Sequence, residues 1–517
     1  MRTSIIITFF AMYVLISCKK ETAINNIVRE TAINTVNEYK IIISRDDLRK
    51  VKVEAELNIP ERRLSMDWQS VNFLEKGWSH FVENLKVYDM EDNLIEIEYV
   101  DKATWQLNTT AKRVQISYDV NVMHDTVIWE EGGHSAAAYV VEDVVYIIGA
   151  ALFIASPAEI KRGAGEMANI SFSMPNDYDI VVPWKQRGET KHNFSVNSTY
   201  ELVRSGISFG DIEKGYLSIE GMEVYIATAK DFKAIIPLFK SIYKEIIPAA
   251  QAYFDDQLQF KYVVIINKAP RTKEVEPYFS GEALHQSMSF ITPIFPTEEF
   301  MPMFWYILTH EYVHLWNGIN IETLHETKEY WFFEGFTDYI SLGLLNKLGK
   351  ISQEQMINSY QVGPYAIGWG DNIKKYLVVA GKQNMREAGK SKGDNYDLLY
   401  SGGSLFALIL DIEMNTITNG KIGVRNLSSE INKKFGNKAA KLDYKDIKDM
   451  VSELSGTKFD YLFDAYVEGI EIIPVAEYLQ KAGLLIEHLG QETQKIMIDP
   501  NATENQKLVL KAIIGND

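Results

Sequence analysis

Apolar and polar positions alternate along residues 38–223 in short runs, at 39–43, 51–57, 94–99, 114–122, 144–148 and 170–174. A period of two sends successive side chains to opposite faces, and the Asn, Gly, Pro and Asp clusters between the runs mark turns. The region therefore reads as an antiparallel β-sandwich. After Ile226 the period changes. Residues 232–254 space their apolar side chains as a helix does, and 260–266 is a strand-like apolar run. The stretch 278–292, Y-F-S-G-E-A-L-H-Q-S-M-S-F-I-T, has the mixed polar and β-branched character of an edge strand beside a cleft. Beyond Tyr339 the runs 340–348, 353–361, 405–418, 443–454 and 461–467 predict a mainly helical remainder. The whole pattern predicts a multidomain α+β chain, with the strands first and the helices last.

Composition narrows this picture. A chain of 517 residues that is 46% hydrophobic suits two to four domains with sizeable cores. The net charge is −17, and loss of residues 1–17, which hold one Arg and no acid, takes it to −18. Such a surface repels phosphate backbones, so a nucleic-acid partner is not expected. The first eighteen residues, M-R-T-S-I-I-I-T-F-F-A-M-Y-V-L-I-S-C, run from a basic start through an apolar core too short to span a bilayer comfortably. They read as a signal peptide (1–17) ending at Cys18, the one cysteine of the chain. Cys18 stands where bacterial lipoprotein signals place the residue that is lipidated. The expectation is a lipid anchor on a membrane of the bacterial cell envelope, facing periplasm or cell surface, with residues 18–37 as a polar tether. A lone cysteine leaves no intrachain disulfide, so packing must stabilise the fold.

The candidate chemistry sits in 304–339. H-E-Y-V-H at 310–314 puts His310 and His314 four residues apart, on one face of a helix, where both imidazoles can reach one metal ion. Glu311 is rotated about 100° around that helix, suited to a general base for a water molecule. A chance H-E-x-x-H is on the order of one in a hundred for this content of His and Glu, so further ligands decide the matter. Glu334, twenty residues after His314, supplies a third ligand, and Asp338 follows at i+4, placed to accept the outer N–H of a liganding His. Two His and one Glu suit a single Zn2+. Trp305, Tyr306, Leu315 and Trp316 read as core packing, and Trp105, His124 and His134 as isolated core or loop residues. Tyr400 precedes a Gly pair in L-L-Y-S-G-G-S. Its phenol suits an oxyanion donor, though pattern alone favours a packing tyrosine.

H-E-Y-V-H-L-W-N, W-F-F-E-G-F-T-D-Y and Y-S-G-G-S followed by A-L-I-L-D together resemble the glycyl aminopeptidase family of gluzincin zinc metallopeptidases. Weaker similarity, through D-K-A-T-W with I-S-Y-D-V and F-D-A-Y-V-E-G with L-Q-K-A-G-L, extends it over about 39–485. The resemblance implies an N-terminal β domain (38–224), a thermolysin-like, mainly helical catalytic domain (225–485), and hydrolysis of peptides from a free amino end by zinc-activated water. It implies His310, His314 and Glu334 as zinc ligands, Glu311 as general base and Tyr400 as the oxyanion-stabilising tyrosine. Members often carry G-G-L-E-H near the substrate strand, with an acid suited to the substrate's α-ammonium. Here the run is G-E-A-L-H, so Leu284 holds the acidic position, beside His285. Glu282, two residues earlier on the same strand face, is the substitute anchor, and Glu282 and His285 are the expected substrate contacts. Residues 486–517 are too few for the PDZ domain of larger members and read as a short helical extension. A membrane-anchored endopeptidase and a non-catalytic peptide-binding lipoprotein are the alternatives.

Overall fold

A computed structural model describes residues 36–514, apart from 69–70, 72, 128, 130–133, 162–166, 269–278, 294, 363–364 and 489–493. The leader, Cys18 and nearly all of the tether lie outside the described residues.

The alternating runs form a seven-stranded sheet whose centre is β1 (Asn37–Ile43), β2 (Lys50–Asn58), β3 (Arg113–Asn121) and β4 (Ala168–Ser173). β1 pairs antiparallel with β2, and β2 with β3, but β1 pairs parallel with β4, Tyr39 opposite Ile170. The sheet is thus mixed, where alternation predicts purely antiparallel pairing. Period two fixes which face a side chain takes and says nothing of strand direction. Tyr39, Ile41, Val51, Val53, Ile116 and Tyr118 turn inward and share one core with Tyr146, Ile147, Ile207 and Phe209 of a four-stranded sheet. Tyr39 and Tyr118 donate their hydroxyls to the carbonyls of Ile154 and Leu152 (3.0 and 2.9 Å), so neither buried phenol is left unpaired. A short helix, α1 (Thr199–Val203), is capped by the Ser198 hydroxyl.

The second domain is built on a five-stranded sheet, in the order β5 (Ile212–Ile219), β6 (Met222–Ala229), β7 (Lys261–Lys268), β9 (Ser287–Thr292) and β8 (Ser280–Leu284). β6, β7 and β9 are parallel, and β8 lies antiparallel at the edge. The boundary expected at 224/225 falls inside β6, and β5 pairs with β6 along its whole length. This domain therefore begins at Ile212. The edge stretch is a hairpin, β8 and β9 turning at Gln286. Val224, Ile226, Val264 and Ile266 pack toward the helices, whereas Val263, Ile265 and Leu284 join the core of the first domain. Burial on both faces explains the unbroken apolar run of β7.

Four helices position the candidate chemistry. α2 (Ile236–Phe254) covers the sheet, α3 (Met301–Val313) and α4 (Tyr330–Lys347) carry the H-E-x-x-H and E-x-x-x-D motifs, and α5 (Gly403–Thr418) packs on α4. The C-terminal segment differs from the helical extension expected. Leu484–His488 and Gln494–Ile498 form a hairpin before the helix Glu504–Ile513. Asn358 fixes that hairpin by hydrogen bonds to the backbone N–H and C=O of Ile496 (2.8 and 3.1 Å), a contact set by tertiary packing. Among the described residues no helix is long and apolar enough to cross a membrane.

Candidate active site

α3 is buried nearly all round, by Phe304, Leu308, Tyr312 and Val313, so its polar residues His310 and Glu311 are inside the protein. His314 caps the helix in helical conformation, which keeps the i, i+4 relation to His310. α4 crosses α3 with Glu334 and Asp338 toward it. α5 approaches α4 closely at two glycines, since a Cβ on Gly335 would lie 2.3 Å from the Gly403 carbonyl carbon. That contact brings the segment ending in Tyr400 up to Glu334.

Three ligand atoms converge. The Nε2 atoms of His310 and His314 are 2.9 Å apart. Glu334 Oε2 lies 3.4 Å from the first and 3.3 Å from the second. An ion holding N and O ligands tetrahedrally at about 2.0–2.1 Å separates them by about 3.3 Å, so this triangle fits one face of a zinc coordination shell. Among the described residues it is the one group of three or more His, Cys, Asp or Glu gathered in this way. Both outer nitrogens are engaged: His310 Nδ1 donates to Asp338 Oδ1 at 2.8 Å, and His314 Nδ1 to the Asn317 carbonyl at 3.0 Å. With Nδ1 protonated, each Nε2 lone pair faces inward, the tautomer a metal requires.

Electrostatics also favour a cation. Burial opposes charge on His310, but its hydrogen bonds to Asp338 and Glu334 outweigh burial and push its pKa up to about 10, so the pocket stabilises the positive charge that a metal would bring in place of the Nε2 proton. Burial would raise Glu334, yet Lys392, then His314 and His310, hold its carboxylate well below the usual range. Glu311 is raised by burial, against the pull of His310 and His314. Burial, reinforced by the charge of Glu334, keeps the Tyr400 phenol protonated far above the ordinary tyrosine range.

The cleft wall is β8. A Cβ on Gly281 would fall 2.6 Å from Glu311 Cγ and Oε1, so the strand lies over the glutamate without displacing it because residue 281 has no side chain. Glu282 accepts a hydrogen bond from Ser135 Oγ of the first domain (2.9 Å) and is near enough to Glu311 and Lys392 to act on both by charge. Leu284 is buried in the core of the first domain and His285 Nε2 lies 3.8 Å from Glu201 of α1, so neither joins the His310, His314 and Glu334 cluster. The Tyr400 ring stacks toward His310 at 6.1 Å and on Tyr396 at 3.9 Å.

Sequence reasoning missed four participants. Tyr306, expected as packing, donates to Asp338 Oδ1 at 2.5 Å. Asn317 donates to the carbonyls of Phe332 and Phe333 (3.2 and 3.1 Å), pinning the turn after His314 to α4. That turn needs Gly318, at φ 143°. Lys392 pairs with Glu334 at 2.6 Å, and Tyr396 backs Tyr400. Asn317 was within reach through the W-N that follows the histidines; nothing in the sequence marks Lys392.

Two family descriptions and several solved structures resemble this chain. The family description "Peptidase M61 N-terminal domain" matches residues 38–211, and "M61 glycyl aminopeptidase" matches 303–364. The first match ends one residue before β5. No curated protein matches the chain in sequence. Among solved structures, an aminopeptidase N family protein from Idiomarina loihiensis superposes with a TM-score of 0.70 at 14% identity, covering 87% of this chain and 79% of that one. An M1 zinc metallopeptidase from Deinococcus radiodurans gives 0.56 at 11% identity, with 85% and 95% covered. A mutant of the Deinococcus enzyme, solved with a Tyr-Ser-Ala substrate, gives 0.55 over the same shares. Identities this low speak to the fold alone, which this chain shares with these proteins.

Proposed function

We propose that this chain, a metallopeptidase similar in both of its domains to the M61 glycyl aminopeptidases, removes residues from the free amino ends of peptides with one zinc ion held by His310, His314 and Glu334. One observation carries the reading: three ligand atoms 2.9–3.4 Å apart, with Glu311 beside them beneath a glycine of the edge strand. When bound, zinc supplies Lewis acidity, polarising a carbonyl and making water acidic enough to attack near neutral pH. Glu311 takes the water's proton and passes it to the leaving amine, a task that its burial-raised pKa favours. Tyr400, held protonated, donates to the oxygen on which charge develops. The outer edge of β8 receives the peptide backbone as an added strand. Glu282 is the anchor for the α-ammonium, the role its placement between the two domains beside Glu311 supports. The leader ending at Cys18 supports an enzyme held by lipid at a membrane of the bacterial cell envelope.

Two observations favour an endopeptidase instead. Leu284 is packed away in the core, and Glu282 already accepts a hydrogen bond from Ser135. The experiment that decides is mass spectrometry of products from a peptide library, half with free and half with acetylated amino ends, incubated with residues 19–517. Stepwise N-terminal loss from free peptides only is the expected result. Internal cuts in both halves would make it an endopeptidase, and products matching those of Glu311→Gln would overturn catalysis.

A further inference from the structure

The two oxygens of Glu334 have different neighbours. Oε2 faces the histidine nitrogens at 3.4 and 3.3 Å, whereas Oε1 accepts a hydrogen bond from Lys392 Nζ at 2.6 Å. The ammonium lies 4.9 Å from the ring centroid of Tyr330 and 5.4 Å from that of Tyr400, so cation–π attraction from two rings adds to the ion pair. Its loop is fixed. Asn395 Nδ2 donates to the carbonyls of Ala388 and Ser391 at 3.2 and 2.9 Å. Gly389 sits so close to Thr327 that a Cβ would fall 1.7 Å from its carbonyl oxygen. Lys392, Tyr396 and Tyr400 thus arrive at the site on one anchored segment.

A carboxylate can give a metal one oxygen or both. Bringing Oε1 to the metal would break a charge-assisted hydrogen bond between Glu334, itself buried, and a half-buried lysine. We propose that Lys392 is a positioning residue that acts through Glu334: by holding Oε1 it confines the carboxylate to ligation through Oε2 and keeps a coordination position free for water and the substrate carbonyl. The ammonium also draws charge from Glu334, and the metal keeps more of its Lewis acidity than beside an unpaired carboxylate. The inference rests on the metal site proposed above.

The test is the visible absorption of the protein loaded with Co2+ alone, since four-coordinate Co2+ absorbs much more strongly than five-coordinate Co2+. Wild type, Lys392→Met and Lys392→Arg are compared, with His310→Ala as the control for the site. The wild type should show the intense spectrum, Lys392→Met a loss of intensity of at least about twofold, and Lys392→Arg the wild-type spectrum. Thermal melting of the metal-free proteins checks that each folds, and Lys392→Gln gives the same reading should the Met variant not fold. An unchanged spectrum in the folded Met or Gln variant overturns the proposal. If that variant also raises KM only for peptides with a free carboxyl end, Lys392 is a substrate anchor instead. A wild type that takes up no Co2+ where His310→Ala takes up none overturns the metal site itself, a failure distinct from that of Lys392.

Discussion

His310 Nδ1 donates to Asp338 Oδ1 across 2.8 Å, and the same oxygen accepts the Tyr306 hydroxyl. One carboxylate oxygen thus fixes the tautomer of a candidate ligand and is itself held in place by a phenol. Asp338→Ala should weaken metal binding by about 10–100-fold, as loss of such partners does elsewhere. Competition against a chelator measures it. Unchanged affinity would mean that packing alone orients His310.

Glu311 is not a ligand in this geometry, so its removal should separate binding from chemistry. Glu311→Gln keeps size and hydrogen-bonding capacity but cannot accept the proton. Metal content should stay at the wild-type level while turnover falls by at least about 10²–10⁴-fold. Metal analysis beside peptide hydrolysis reads both, and retained turnover would sink the assignment.

Gly281 and Glu311 are in contact through the edge strand. Gly281→Ala places a methyl 2.6 Å from Glu311 Cγ and Oε1, and the glutamate must move. The expected loss in kcat is about 10–100-fold, the cost of an ångström-scale misplacement of a reacting group. Melting temperature should change little, because the displaced atoms end a flexible side chain.

In the first domain His124 stacks on Phe81 at 3.8 Å, accepts the Ala138 N–H at Nδ1 and meets the Asn121 carbonyl at Nε2. One neutral tautomer satisfies both partners. Burial, with a smaller contribution from His80, lowers its pKa from 6.5 to about 3. Below pH 6.5 the unfolded chain takes up a proton that the folded chain refuses. The contribution of His124 is therefore intact above pH 6.5 and is lost as pH falls toward 3, by up to roughly 5 kcal/mol. Denaturant midpoints of wild type and His124→Gln should differ at pH 7.5 and converge toward pH 4.5. A gap independent of pH would refute the assignment.

The sequence by itself determined what is local. Four residues of helix carry His310 to His314 whatever surrounds them, and the same spacing links Glu334 to Asp338. Alternation and helical spacing likewise placed runs such as 51–57, 114–122, 144–148 and 405–418 close to the strands and helices observed there, and left others unmarked, among them Val82–Tyr88 and Gly206–Gly210. Tertiary structure decided the rest, because pairing between distant segments leaves no periodic mark. The parallel match of β1 with β4, the start of the second domain at β5 and the C-terminal hairpin arise in this way. So does the ion pair of Lys392 with Glu334, 58 residues apart. The loop of Lys392 is held by the close approach of Gly389 to Thr327, as α4 and α5 are by that of Gly335 to Gly403, and such approaches are settled by packing in three dimensions, where burial of apolar surface outweighs any preference of the segments alone.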